Sequence, residues 1–242
     1  MEEWYQQWFD ADYAELYAHR DAAEAALGVA TALAAAPELA RGPVLDLACG
    51  SGRHLEVLRS CNPQAFGLDL SLSLLSRAGS GLRPWLVQGD MRRLPLRPGS
   101  LAGICLWFTP FGYFDDGENR RLFGGLADVL EPGGILWMDY LNAPAVRSDL
   151  TPAEERLVRG GLEVEIRRSL EGNRVVKRMR IRRPAIGDLR EVAESVRLYD
   201  PAELEGFAAE VGLRLRCVFG GYDGTGYGAA SSRWIGVFEK RQ

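Results

Sequence analysis

The residues best placed to do chemistry lie where an apolar run, Val44-Leu45-Asp46-Leu47, empties into Ala48-Cys49-Gly50-Ser51-Gly52 and then into a helical pattern from Arg53. Small side chains in a strand-to-helix turn let backbone approach a ligand closely. A second apolar run ends in Asp69, 19 residues past Gly50, where a carboxylate can accept hydrogen bonds from ribose hydroxyls. The pattern expects a nucleoside. A dinucleotide fingerprint would need a third glycine where this chain has Leu55, which counts against NAD and FAD. A phosphate loop with glycine, lysine and Ser/Thr in register is missing as well, so a nucleoside triphosphate is poorly supported. Each acid also has a plain structural alternative. Asp46 could anchor the turn through backbone amides, Asp69 could cap a helix starting at Ser71, and Asp90 could be a turn residue. Their recurrence at successive strand ends favours the ligand.

These residues need a scaffold. Short apolar runs at Pro43 to Ala48, Gln64 to Leu70, Trp85 to Gly89, Leu101 to Phe108 and Ile135 to Leu141 read as buried strands. Helical patterns at Arg53 to Ser60, Leu72 to Ala78 and Asn119 to Leu130 separate them, the last stopped by Pro132-Gly133-Gly134. Alternating strands and helices imply an α/β fold with a doubly wound, mostly parallel sheet, and ligands bind such sheets at the carboxyl ends of the strands. After Pro201 a helix, Ala202 to Val211, and strands Leu213 to Phe219 and Arg233 to Lys240 resume the rhythm. A glycine-rich loop, 220–228, lies between those strands.

Two segments stand apart. From Glu2 to Ala40 the pattern is helical and acidic, with Tyr5, Phe9, Tyr13 and Tyr17 on one stripe. A core-facing side is the favoured reading of that stripe, and ligand contact through a lid is the other. In 151–199, Glu163 to Leu170 and Arg174 to Arg182 alternate apolar and charged positions around Gly172-Asn173, a loop suited to a tight hairpin. Pairing Glu171 with Arg174 sets Glu165 against Arg180 and Glu163 against Arg182, so the basic residues read as a solvated, ion-paired face.

Composition bounds the function. With 29 basic and 33 acidic residues the net charge is −4, so no global positive field draws the chain to nucleic acid or to an anionic membrane. The acidic start is unlike a secretory signal and no run approaches ~20 apolar residues, so a cytoplasmic location is expected. Cys49, Cys61, Cys105 and Cys217 lack Cys-x-x-Cys spacing, and with two histidines they are expected as free thiols with no metal. His54 is expected to be structural.

The motifs together resemble those of the class I S-adenosylmethionine-dependent methyltransferases of small-molecule type, over residues 42–141 and more loosely 200–242. Asp46 to Gly52 resembles the first family motif, although Ala48 stands where many members carry another glycine. Asp69 matches the acidic end of the second strand, and Gly89-Asp90-Met91 resembles the adenine-holding segment. Trp107 to Phe114 is similar to the substrate-side motif, and Leu130 to Leu136 to the turn before the fifth strand.

The resemblance implies a Rossmann-like sheet of seven strands with an antiparallel last strand, S-adenosyl-L-methionine as cofactor, and methyl transfer to an N or O nucleophile of a small molecule. It divides the chain into an N-terminal helical lid (1–41), a cofactor-binding domain (42–150 and 200–242) and an antiparallel β insertion (151–199) over the substrate opening. For the cofactor it implies Tyr17, Arg20, Asp46, Ala48, Gly50 and Gly52, together with Asp69, Leu70, Asp90, Met91 and Phe108. Arg20 suits a carboxylate, though pairing with a neighbouring acid is the equal alternative. On the acceptor side stand Phe111, Tyr113, Tyr140, Tyr222, Tyr227 and Arg233. Tyr113, Tyr140 and Asp139 are the nearest candidates for taking a proton, and no base is assigned. An RNA or protein acceptor, disfavoured by the lack of a basic domain and of an Asn-Pro-Pro-aromatic motif, and a non-catalytic cofactor-binding protein are the alternatives. A homodimer is left open.

Overall fold

The computed structural model describes residues 3–150 and 154–241. The N-terminal segment folds as three helices, α1 (Trp4–Trp8), α2 (Ala11–Leu16) and α3 (Ala22–Ala35), where the periodicity predicted one. The breaks are chemical. Asp10 turns its carboxylate back onto the amides of Asp12 and Tyr13 at 2.9 and 3.3 Å, and Asp21 caps Glu24 at 2.9 Å. Each cap starts a new helix.

From there β1 (Val44–Leu47), α4 (Arg53–Cys61), β2 (Ala65–Asp69), a single turn α5 (Leu72–Leu75), β3 (Leu86–Gln88), β4 (Leu101–Leu106), α6 (Asp116–Val129) and β5 (Leu130–Leu141) follow in order. The helix expected to run to Ala78 is thus cut short after one turn. The helix expected to stop at Pro132 ends at Val129, and Gly133, at φ +80°, lies in an excursion within β5, whose pairing with β4 shifts there. After α7 (Ala143–Asp149) comes the insertion, with β6 (Glu154–Arg159), β7 (Leu162–Glu171), β8 (Arg174–Arg183) and β9 (Asp188–Arg197). The chain closes with α8 (Pro201–Glu210), β10 (Leu213–Phe219) and β11 (Arg233–Lys240).

The main sheet has seven strands in the order β10-β11-β5-β4-β1-β2-β3, and β11 alone runs against its neighbours. β1 and β4 are buried along their whole length, since helices cover both faces. The chain leaves β1 toward β2 and β3, then returns to β4 on the other side of β1. That reversal opens a crevice beyond the carboxyl ends of β1 and β4.

The insertion is a separate four-stranded antiparallel sheet, twice the expected hairpin, while residues 151–153 at its expected start lie outside those described. Its β7–β8 register is the predicted one, with Glu171 opposite Arg174 and Glu163 opposite Arg182. One face carries cross-strand ion pairs such as Arg180 with Glu191 at 3.1 Å. The other packs Leu162, Val164, Ile166, Met179 and Ile181 against Trp8 and Leu16 of the N-terminal helices. Burying each such side chain contributes about 1.5–3 kcal/mol. Arg190 pairs with Asp10 at 2.5 Å and Asp12 at 3.3 Å, and Arg183 also pairs with Asp12. Acidic N-terminus and basic insertion are therefore complementary halves of one contact. No helix among the described residues is long and apolar enough to cross a membrane.

Candidate active site

The glycine turn after β1 is held by the strand beside it. Ala48 and Cys49 donate their amides to the Leu68 carbonyl at 2.7 and 3.2 Å. Gly50 donates to Asp69 Oδ2 at 2.7 Å, while Asp69 Oδ1 accepts the Ser71 amide at 2.7 Å. Asp69 is thus the bolt between the two strand ends, and the cap of α5 is Ser71, whose Oγ accepts from Leu74. Burial raises the pKa of Asp69, against the pull of the Ser71, Gly50 and Leu70 amides. Ala48 (φ +59°) and Gly50 (φ +57°) both take the left-handed conformation, so the missing family glycine leaves the shape of the turn intact. Gly67 of β2 makes room for it: a Cβ there would meet Cys49 Sγ at 2.6 Å.

Asp46 does not anchor this turn. It is buried at the end of β1, and neither carboxylate oxygen has a hydrogen-bond partner. Burial first, then the charge of Asp69, drives its pKa well above the ordinary carboxylate range, with Leu55 and Arg53 acting weakly the other way. The folded chain therefore holds this proton more tightly than the unfolded one. That contribution to stability is full below the unfolded value of about 3.9 and is lost as pH rises through the folded one. We expect Asp46→Asn to gain melting temperature over the unsubstituted chain between pH 5 and 8, read by paired thermal melts without ligand. A difference that stays constant across that range would contradict the buried charge.

Around these acids lies a cavity of about 640 Å³. Ten of the eleven cofactor residues implied by the sequence line it; Gly52 does not, since it caps α4 behind the turn, facing Leu82. Tyr5, Phe9, Tyr13 and Tyr17 line it too while packing against the apolar clusters, so the aromatic stripe is at once a core-facing side and a cavity wall. They remain neighbours across the helix breaks, with Phe9–Tyr13 and Tyr13–Tyr17 ring centroids 4.9 and 4.7 Å apart. Arg20 lies over the rings of Tyr17 and Phe108 at 4.2 and 4.6 Å and donates to the Tyr13 hydroxyl at 3.0 Å. Among the described residues it has no carboxylate partner. Asp90 grips Arg92 through both oxygens, at 2.7 to 3.1 Å. Those hydrogen bonds outweigh burial and lower the Asp90 pKa.

The acceptor-side expectations fare differently. Tyr113 lines the cavity; Phe111, Tyr140, Tyr222, Tyr227 and Arg233 do not. Phe111 packs in the core against Phe123, Tyr140 and Tyr199. Tyr140 is fully buried with its hydroxyl on the Arg197 carbonyl, and Tyr227 donates to Asn142 Oδ1 at 3.0 Å. Tyr222 and Arg233 converge on Asp139 instead.

Asp139 is fully buried near the end of β5, and its carboxylate is committed to structure. Oδ2 accepts the Phe108 amide at 2.7 Å and the Tyr222 hydroxyl, Oδ1 accepts Arg233 Nε, and the Asp139 carbonyl accepts the Thr109 amide at 3.1 Å. Phe108 and Thr109 sit at φ +59° and +63°, conformations that cost about 1–3 kcal/mol each and persist only when the surroundings impose them. Asp139 thus fixes the loop that carries Phe108 to the cavity wall, which leaves it no role as a base.

Sequence reasoning missed several lining residues. Arg53 and His54, immediately after the glycine turn, reach the cavity because α4 starts there. His54 stacks on Trp107 with centroids 4.6 Å apart and planes 4° apart. Burial, then Arg53, Arg233 and Arg20, lower its pKa to about 3, so the ring is neutral. Lys177 of the insertion donates to the Tyr17 hydroxyl, and no local signal in the sequence joins residues so far apart.

The family model for a methyltransferase domain matches residues 44–134. A dTDP-3-amino-3,4,6-trideoxy-alpha-D-glucopyranose N,N-dimethyltransferase of Streptomyces venezuelae is 30% identical over 191 residues, covering 76% of this chain and 80% of that one. The chain is a class I S-adenosylmethionine-dependent methyltransferase. The whole fold of this methyltransferase resembles that of an S-adenosylmethionine-dependent methyltransferase from Clostridium acetobutylicum ATCC 824, with a TM-score of 0.80, 17% identity, and 96% and 97% of the two chains covered. It also resembles Streptomyces venezuelae DesVI, with a TM-score of 0.63, 26% identity and coverage of 91% and 92%.

The residues present fit the cofactor. The unpartnered oxygens of Asp46, the carboxylate of Asp69 and the acid-free guanidinium of Arg20 offer what ribose hydroxyls, an ammonium and a carboxylate require. Met91 and Leu70 supply an apolar wall beside Asp90 for a base.

Proposed function

We propose that this methyltransferase transfers a methyl group in line to the nitrogen of a small amine, of the amino-sugar class. The observation that carries the reading is Tyr113, on a cavity wall shared with the cofactor turn, with a hydroxyl that has no hydrogen-bond partner among the described residues. Rings of Tyr5 and Phe9 stack beside it at 6.3 and 6.0 Å, and Trp4 meets it edge-on at 4.8 Å. An aromatic box with the free hydroxyls of Tyr113 and Tyr5 suits a small acceptor that presents polar groups on an apolar frame. The sugar N,N-dimethyltransferase relative supports nitrogen as the nucleophile.

When bound, the cofactor supplies a methyl group already activated by its sulfonium. The chain's task is alignment, which contributes ~7–11 kcal/mol to reactions of this kind. Phe9, Tyr113 and Phe114 exclude water from the acceptor side. Burial, reinforced by Tyr13 and Glu194, raises the Tyr113 pKa far above its usual value. Tyr113 is therefore a hydrogen-bonding partner for the acceptor and keeps its own proton. A neutral amine needs no base before it attacks, because its lone pair is free: the new carbon–nitrogen bond would form as the carbon–sulfur bond breaks to leave S-adenosylhomocysteine, and the methylated ammonium would then lose its proton to water.

Incubation with methyl-labelled S-adenosylmethionine tests this. The panel is free and nucleotide-linked amino sugars, their hydroxy analogues and bulk tRNA. Mass spectrometry should find the methyl group on amino compounds alone; label on the hydroxy analogues or on RNA would overturn the reading.

A further inference from the structure

The loop that presents Tyr113 is held from outside the cofactor domain. Arg174 opens β8, directly after the Gly172-Asn173 turn, and its guanidinium reaches back across the interface. Nη1 donates to the Phe114 carbonyl at 3.1 Å; Nη2 lies 3.1 Å from the Gly112 carbonyl and 2.9 Å from that of Tyr113. Nε and Nη2 also bind Ser195, at Oγ and at the carbonyl, at 2.8 and 2.9 Å. Its partners are neutral oxygens. Beside it, the Arg197 amide donates to the Gly112 carbonyl at 2.8 Å. Gly112, at φ +92°, sits so close that a Cβ would meet Tyr140 Oη at 2.8 Å and the Arg197 carbonyl at 3.0 Å.

We propose that Arg174 is a positioning residue: it fastens the backbone of Gly112, Tyr113 and Phe114 to the insertion sheet and so sets where the Tyr113 hydroxyl stands relative to the cofactor turn. Three consecutive carbonyls point at one side chain, and only a planar fork of several N–H groups can serve them at once. Lysine carries its three donors on a single atom, which cannot stand at the separate places of Nε, Nη1 and Nη2 that these oxygens require. Upstream, Asp139 fixes Phe108 and Thr109; downstream, Arg174 fixes 112–114. The loop is suspended between the two. The consequence for catalysis rests on the reading of Tyr113 as the acceptor contact; the consequence for the loop does not.

Hydrogen exchange on Arg174→Met and Arg174→Lys, together with calorimetry using S-adenosylhomocysteine, tests it. In Arg174→Met, the Arg197 amide, held on the Gly112 carbonyl, should exchange at least ~10-fold faster while S-adenosylhomocysteine affinity stays within ~3-fold and the central strands stay protected. Millimolar methylguanidinium should restore the protection in Arg174→Ala, whose short side chain leaves room for it, and Arg174→Lys should not restore it. Transfer to the amino-sugar panel should fall ~100-fold in kcat/KM, the cost of a displaced contact of about 1 Å. Unchanged exchange of the Arg197 amide overturns the proposal. So does an Arg174→Lys variant indistinguishable from the unsubstituted chain, or a loss of protection spread evenly over the strands. If the unsubstituted chain methylates none of the panel, the acceptor reading fails while the exchange data still decide the clamp.

Discussion

Asp69→Ala should lower the affinity for S-adenosylhomocysteine by ~100-fold or more in calorimetry. The carboxylate accepts the Gly50 and Ser71 amides, one on each oxygen, and lies on the cavity wall where the ribose is expected. Hydrogen bonds to a charged group are worth about 1.5–3 kcal/mol each, and losing two releases the glycine turn as well as the ligand. Asp69→Asn keeps an acceptor for one amide and presents an NH₂ to the other, so it should fall between. Affinity within threefold of the unsubstituted chain for Asp69→Ala would remove this residue from the cofactor site.

Asp139→Asn should cost about 3–5 kcal/mol, a drop of roughly 10 °C in melting temperature for a chain of this size. The substitution leaves Arg233 without its counter-charge among aromatic rings: Arg233 lies over Phe108 at 4.9 Å and Tyr222 at 5.7 Å. It also relaxes the amide clamp on two residues held at positive φ. Adding Arg233→Gln should recover part of the loss, because the uncompensated charge is then gone. A single variant that melts within about 2 °C of the unsubstituted chain would show that the pair is not holding the loop.

The parts legible in the sequence were those whose signal is local. The glycine turn, the five strands through Leu141 and the hairpin register around Gly172 each follow from neighbouring residues, and the structure shows them. The breaks at Asp10 and Asp21 were not legible, since a capping aspartate and a surface aspartate look alike in an acidic helix. The edge strands β6 and β9 escaped because one face of the insertion is covered by helices more than a hundred residues earlier in the chain, which no alternation of charge reveals. Asp139 looked like a base because it lies near a strand end; its partners come from 108, 222 and 233. Phe111 and Tyr113 could not be told apart either, because the two positive-φ residues before them reset which way each side chain faces.

The insertion sheet touches two of the segments that line the cavity. Through Lys177, Arg183 and Arg190 it grips the N-terminal helices on one side of the cavity, and through Arg174 it grips the loop that carries Tyr113 on the other. Residues 3–20 and 154–197 therefore depend on each other for burial and charge balance, and a change that loosens one side of that contact should loosen the other with it.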